Sequence, residues 1–295
     1  NLMKKFLCFI AIILVIVLAG YFAGKYLEAV QTNADNINKN EVKDVVNQVK
    51  DKITNEYKNV VNNVQEDKEE NVTTFEELKN NEEIINIYNN VDEIDKENLI
   101  AVHGWQHINK VISTVEKILT DIGCDNNAIE SGKIAALLHD IGCIEGKEKH
   151  AIKSYEMAKV LLEDKNISEI DKEVILQAIL RHSKPKENDT IIGKALALAD
   201  KLDFDKNRMY PLGLKVPHYN QMNNIEKVEI SIGKLVEINF TVNEKFDRMD
   251  LEKYYFVEKI FDAIIEFSVY ISKKYQVKIN NEIWKSNVGG CNKLM

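Results

Sequence analysis

The sequence predicts a mainly α-helical protein with an apolar helix at its start and a small α+β element at its end. Three observations carry this. Between residues 73 and 215 apolar residues recur at helical spacing, segment after segment, and the whole chain has only three prolines. Around Gly233-Lys234 two segments alternate instead, Lys227–Ile232 and Leu235–Val242, which predicts a β-hairpin. Phe6 to Gly24 contains no charged residue and follows Lys4-Lys5.

That apolar run is expected to be a membrane helix, since nineteen helical residues span about 28 Å. A cleaved signal peptide is the competing reading, but no small-x-small cleavage site stands out near Ala19–Gly24. The anchor is assigned to residues 1–27, and the two lysines place the rest of a single-pass protein outside the cytoplasm. Residues 28–72 are polar. Val42, Val46, Val49, Ile53, Tyr57, Val60 and Val64 form a narrow stripe at steps of three and four. The stretch reads equally as a solvated linker or as a helical stalk that self-associates.

Thr74 and Glu77 have capping-box spacing and open the globular part. Ile108, Val111, Ile112, Val115, Ile118, Leu119 and Ile122 form one helical face, closed by Gly123. Further helices are expected at Ser131–Ile141, Glu148–Glu163, Ser168–His182 and Ile191–Leu202, with Lys184-Pro185-Lys186 breaking the one that reaches His182. After the hairpin, a long amphipathic helix is expected over Asp250–Tyr275, then a strand at Val277–Ile279. The helical domain is assigned to 73–215 and an accessory α+β region to 216–295.

The chain has 295 residues, 45% of them hydrophobic, enough for a substantial core. A net charge of −8 argues against a nucleic-acid-binding surface but leaves room for a small anionic substrate in a locally cationic pocket. The four cysteines, Cys8, Cys124, Cys143 and Cys291, show neither disulfide nor zinc spacing.

The chemistry lies in the histidines. His139-Asp140 ends the apolar run Ile134–Leu138, and a carboxylate there is costly unless paired or bound to metal. Asp200 likewise emerges from Ala195–Ala199. Taken singly, His107 is an ordinary core histidine, His182 a helix C-terminal residue and His150 a surface residue. Five of the six histidines in one helical region make those bland readings hard to hold together.

The order His107 … His139-Asp140 … Asp200 resembles the HD superfamily of metal-dependent phosphohydrolases. The likeness covers roughly residues 100–208. His107-Ile-Asn-Lys-Val111 is similar to the first ligand helix, Ala135–Gly142 to the core motif, and Ala199–Asp203 to the segment of the last ligand. His150 and His182 match the additional histidines of the subset that binds two metals. The resemblance implies an HD-type helical bundle and a divalent metal site of one or two ions (Mn, Fe, Mg or Zn). Its ligands are His107, His139, Asp140, His150, His182 and Asp200. It implies hydrolysis of a small phosphorylated substrate, such as a nucleotide, by metal-activated water, with Asp140 bridging two ions. Lys201 and Arg208 are candidate phosphate contacts, Lys201 also a catalytic candidate. His103, one turn before His107, is a candidate proton donor, and Asp203 a partner behind the ligands. No Gly-Tyr-Pro segment of the cyclic-di-GMP branch is present. The acidic pair after His-Asp in guanosine-tetraphosphate hydrolases is missing. The layout looks more like the compact bacterial branch that includes dinucleoside polyphosphate hydrolases. A metal-stabilised ligand sensor and a di-iron oxygenase on the same fold remain as alternatives.

Overall fold

The computed structural model describes residues 74–284. The chain divides into two units, Asn1–Val72 and Thr73–Met295, and the described residues belong to the second. The expected anchor at 1–27 and stalk at 28–72 lie outside the described residues.

Among the described residues seven helices precede the sheet. They are α1 (Thr74–Lys79), α2 (Glu82–Asn98), α3 (Trp105–Asp121), α4 (Asn126–Leu138), α5 (His150–Leu161), α6 (Glu169–Arg181) and α7 (Ile191–Leu202). Their starts follow local chemistry. Asp125, Ser168 and Thr190 each accept a backbone N–H of the first turn of α4, α6 and α7. The cap at Asp125 starts α4 five residues earlier than Ser131. The helix ends at Leu138, so His139-Asp140 lies in a turn that passes into a 3-10 segment, Ile141–Glu145.

After three short 3-10 segments come β1 (Ile225–Ile232) and β2 (Val236–Val242), the hairpin expected from the alternation. The long helix expected over Asp250–Tyr275 is instead two, α8 (Arg248–Leu251) and α9 (Phe256–Tyr270). Asp247 caps α8, and Tyr254 in the break turns its ring onto Tyr219, 5.1 Å between centroids. β3 (Tyr275–Ile279) then runs parallel to β2, and β4 (Glu282–Ile283) pairs antiparallel with β3. The sheet order is β1-β2-β3-β4.

One hydrophobic cluster runs from Phe75 through the helices to Trp284. Burial of this kind supplies about 25 cal/mol per Å² of apolar surface. The C-terminal element joins it through α9, which packs on α7. At that seam Lys194, buried, donates to Glu266 Oε2 (2.8 Å) and to the Pro185 carbonyl (2.9 Å).

The membrane expectation is corrected here. Among the described residues no helix is long and apolar enough to cross a membrane. The two most apolar, α7 and α9, have 12 and 15 residues, roughly 18 and 22 Å against a hydrocarbon core of about 30 Å. α7 also carries Lys194, Asp200 and Lys201. The assignment as a single-pass protein with an extracytoplasmic domain is set aside on this finding.

Removing one partner from the α7–α9 seam leaves a buried ammonium with a single carbonyl. Glu266→Ala is expected to cost about 2 kcal/mol of stability in denaturant titration. A loss within about 0.5 kcal/mol, the range of an ordinary surface substitution, would show that the seam does not hold the element.

Candidate metal centre

Six side chains converge where helices begin or end. His107 lies in the first turn of α3. His139 and Asp140 directly follow α4, His150 opens α5, His182 follows α6, and Asp200 lies in the last turn of α7. Helix ends suit this role, because the chain is free to leave the helical path there.

Four imidazoles present Nε2 to the centre. His107 Nε2 lies 3.2 Å from His139 Nε2, and His150 Nε2 lies 3.0 Å from His182 Nε2. The other ring nitrogen is anchored in every case. His139 Nδ1–H donates to the Ala136 carbonyl (2.8 Å), His150 Nδ1–H to Lys147 (2.9 Å) and His182 Nδ1–H to Ile179 (2.7 Å). His107 Nδ1–H donates to Asp203 Oδ2 (2.7 Å). A carbonyl can only accept, so Nδ1 holds the proton and a neutral ring turns its Nε2 lone pair inward. Lone pairs facing each other at 3.0 Å repel unless a cation or proton lies among them.

Asp140 joins the two imidazole pairs. Its Oδ2 is 3.5 Å from both His107 and His139 Nε2. Its Oδ1 is 3.4 Å from His150 Nε2 and 3.6 Å from His182 Nε2. Oδ1 is buried and has no hydrogen-bond partner. Asp200 Oδ1 adds a further oxygen 3.4 Å from His107 Nε2. Among the described residues, His107/His139/Asp140 and Asp140/His150/His182 have ligand atoms close enough to hold an ion each. Imidazole nitrogens, carboxylate oxygens and an unbonded buried Oδ1 fit divalent cations.

Burial favours the neutral carboxyl of Asp140, but His139 and then His107 outweigh it and hold Asp140 well below the usual carboxylate range. Burial likewise opposes ionisation of Asp200, and Lys201 reverses it. Burial pushes His139 down, and His182 down to about 3. His107 goes the other way. Burial and Arg208 oppose its protonation, yet Asp140, Asp200 and Asp203 raise it to about 9.

The remaining candidates divide. The Lys201 ammonium is buried, pairs with Asp200 Oδ2 and lies 5.7 Å from the Phe256 ring centroid. It is therefore tied to the Asp200 carboxylate. Arg208 Nε is 3.7 Å from Asp203 Oδ2, and its buried NH1 has no hydrogen-bond partner. His103 is buried, 6.4 Å from His107 between ring centroids, and lies outside both ligand groups. Burial and then Arg208 hold it well below its ordinary value, so at neutral pH it is a neutral hydrogen-bonding group. Two groups near the centre carry no sequence signal. Lys147 lies within electrostatic range of Arg208, Asp140 and Asp200, and Tyr88 donates to the Leu137 carbonyl.

Gly142 sets the second pair. A Cβ there would lie 2.5 Å from Ser154 N and 2.7 Å from the His150 carbonyl, both backbone atoms of α5. Gly142→Ala is thus expected to push the start of α5 away from Asp140. Calorimetry should then show one tightly bound ion fewer than in the parent, and an unchanged ion count would contradict the role.

The raised value of His107 gives a pH dependence. A proton held below about pH 9 must leave before an ion binds, so metal affinity rises with pH toward 9 and flattens above it. Mn²⁺ titration at pH 7 and 8 should show affinity rising about tenfold for that one proton. Equal affinities would contradict the protonation of His107.

Residues 104–205 match the family model of the HD domain. Among solved structures, the chain is similar to one described as a predicted HD superfamily hydrolase from an uncultured Thermotogales bacterium. The identity is 28% and the TM-score 0.34. The likeness covers 41% of this chain and 66% of that one, just under two thirds. A comparison with curated proteins finds no match.

Proposed function

We propose that this chain, whose residues 104–205 form an HD domain, is a metal-dependent phosphohydrolase with a binuclear centre. Its substrate is a small phosphate ester or anhydride, with nucleotides the first class to test. The observation behind this is the shared carboxylate. Asp140 offers one oxygen to His107 and His139 and the other, unbonded, to His150 and His182. Asp200 completes the first ligand group.

Two divalent ions held there would supply Lewis acidity, lowering the pKa of water and offsetting charge on a phosphoryl oxygen. The protein does the rest. Asp203 fixes the proton of His107 on Nδ1, so Nε2 faces the centre. Lys201 orients Asp200. Arg208, whose buried NH1 has no hydrogen-bond partner, would bind a substrate phosphate, which a guanidinium binds more strongly than a neutral donor does. His103, neutral, contacts the substrate as a hydrogen-bond partner.

The test is phosphate release from nucleotides by the full chain with added Mn²⁺. Asp140→Ala is expected to lower the rate by at least about 100-fold. Arg208→Ala is expected to raise KM about tenfold through loss of a charge-assisted hydrogen bond. Undiminished release by Asp140→Ala would overturn the proposal. Oxygen consumption without phosphate release would point to an oxygenase, and tight nucleotide binding without product to a sensor.

A further inference from the structure

Tyr88 lies in α2, outside the residues matched by the HD domain. It is fully buried, so its hydroxyl needs partners within the protein. The O–H donates to the Leu137 carbonyl at 2.5 Å, and the backbone amide of Asp140 faces the Tyr88 hydroxyl oxygen. Leu137 is the next-to-last residue of α4, where helical carbonyls run out of intrahelical donors. Asp140 is where the chain leaves the helix, at φ −112° and ψ 11°. One hydroxyl therefore spans the turn whose last two residues are His139 and Asp140.

The same face of α2 reaches the other part of the centre. The Tyr88 ring packs tilted on Trp105, 5.1 Å between centroids, and Trp105 opens α3 two residues before His107. Asp92, one turn after Tyr88, accepts from the Trp105 backbone N–H at 3.3 Å. α3 has no cap from its own N-cap side chain, because that residue is Gly104. A Cβ on Gly104 would lie 1.8 Å from Asp92 Oδ1, so glycine is what admits the carboxylate. Residues 88 and 92 are four apart and share one helix face.

We infer that this face of α2 is a positioning element of the metal centre. Tyr88 sets the Leu137–Asp140 turn and Asp92 sets the start of α3. Together they hold His107, His139 and Asp140 at ligand spacing before an ion binds. The inference rests on the metal reading above. A merely structural hydrogen bond would add stability and leave metal affinity alone, so the two roles separate in experiment.

The test uses the full chain and Mn²⁺ alone, by isothermal titration, with thermal melting of the metal-free protein alongside. Tyr88→Phe keeps the ring and removes the hydroxyl. It is expected to weaken Mn²⁺ binding by about tenfold or more, as loss of a group that orients ligands does. Ile84→Val, one turn earlier on α2 and fully buried, is the control. It should lower the melting temperature and keep the parental affinity. Parental affinity in Tyr88→Phe overturns the inference, and so does an equal loss in Ile84→Val. If Tyr88→Phe does not fold, Asp92→Ala decides in its place, with weakened binding expected and parental affinity overturning. A parent chain that binds no Mn²⁺ overturns the inference together with the metal reading.

Discussion

A carboxylate taken out of water must be paired or bound to a cation, and Asp140 stands among four inward-facing imidazole nitrogens, of which His107 Nε2 holds a proton up to about pH 9. The surrounding architecture follows from this constraint. Bringing two pairs of histidines to one carboxylate requires the ends of α3, α4, α5 and α6 to meet in one place. The large cluster of Ile, Leu, Val and Ala behind them makes that meeting rigid. A buried charge flanked by loosely held rings would shift its pKa and lose its charge instead.

The imidazoles are oriented by a device used three times. His139, His150 and His182 each give Nδ1–H to the carbonyl three residues earlier. For His139 and His182 that carbonyl belongs to the last turn of a helix, so one bond satisfies a helix end and fixes a tautomer together. His107 sits at the start of a helix, where no such carbonyl is at hand, and Asp203 takes its place. The extra negative charge raises His107, while burial pushes His139 and His182 down. Net charge, −8 over the chain, says little about this centre. Locally Arg208 and Lys201 stand beside Asp140, Asp200 and Asp203, and the C-terminal element takes part by laying Phe256 near Lys201.

Much of this was legible in the sequence. The 3.6-residue period marked α3 through α7, and α7 ran over Ile191–Leu202 as read. The alternation around Gly233-Lys234 marked the hairpin, and His139-Asp140 and Asp200 stood out at the ends of apolar runs, whereas His107, His150 and His182 were picked out by the family's ligand order. What was not legible depends on distant contacts. Tyr88 reads as an ordinary core tyrosine, and only the fold shows its hydroxyl on a carbonyl 49 residues away. At the break between α8 and α9 the Tyr254 ring packs on Tyr219, a contact with a distant part of the chain. The parallel pairing of β3 with β2 is a choice between sheet edges that an alternating pattern does not encode. Lys201 read as a phosphate contact because its sequence neighbour is a ligand candidate, and its pairing with that neighbour, Asp200, shows only in the fold.

In the proposed centre one carboxylate is shared by two ions. Electron paramagnetic resonance of the chain loaded with Mn²⁺ tests it most directly, because ions bridged by a carboxylate couple their spins. Two ions per chain are expected, with an exchange-coupled spectrum that Asp140→Ala converts to that of isolated ions. A single ion per chain, or two uncoupled ions in the parent, would contradict it.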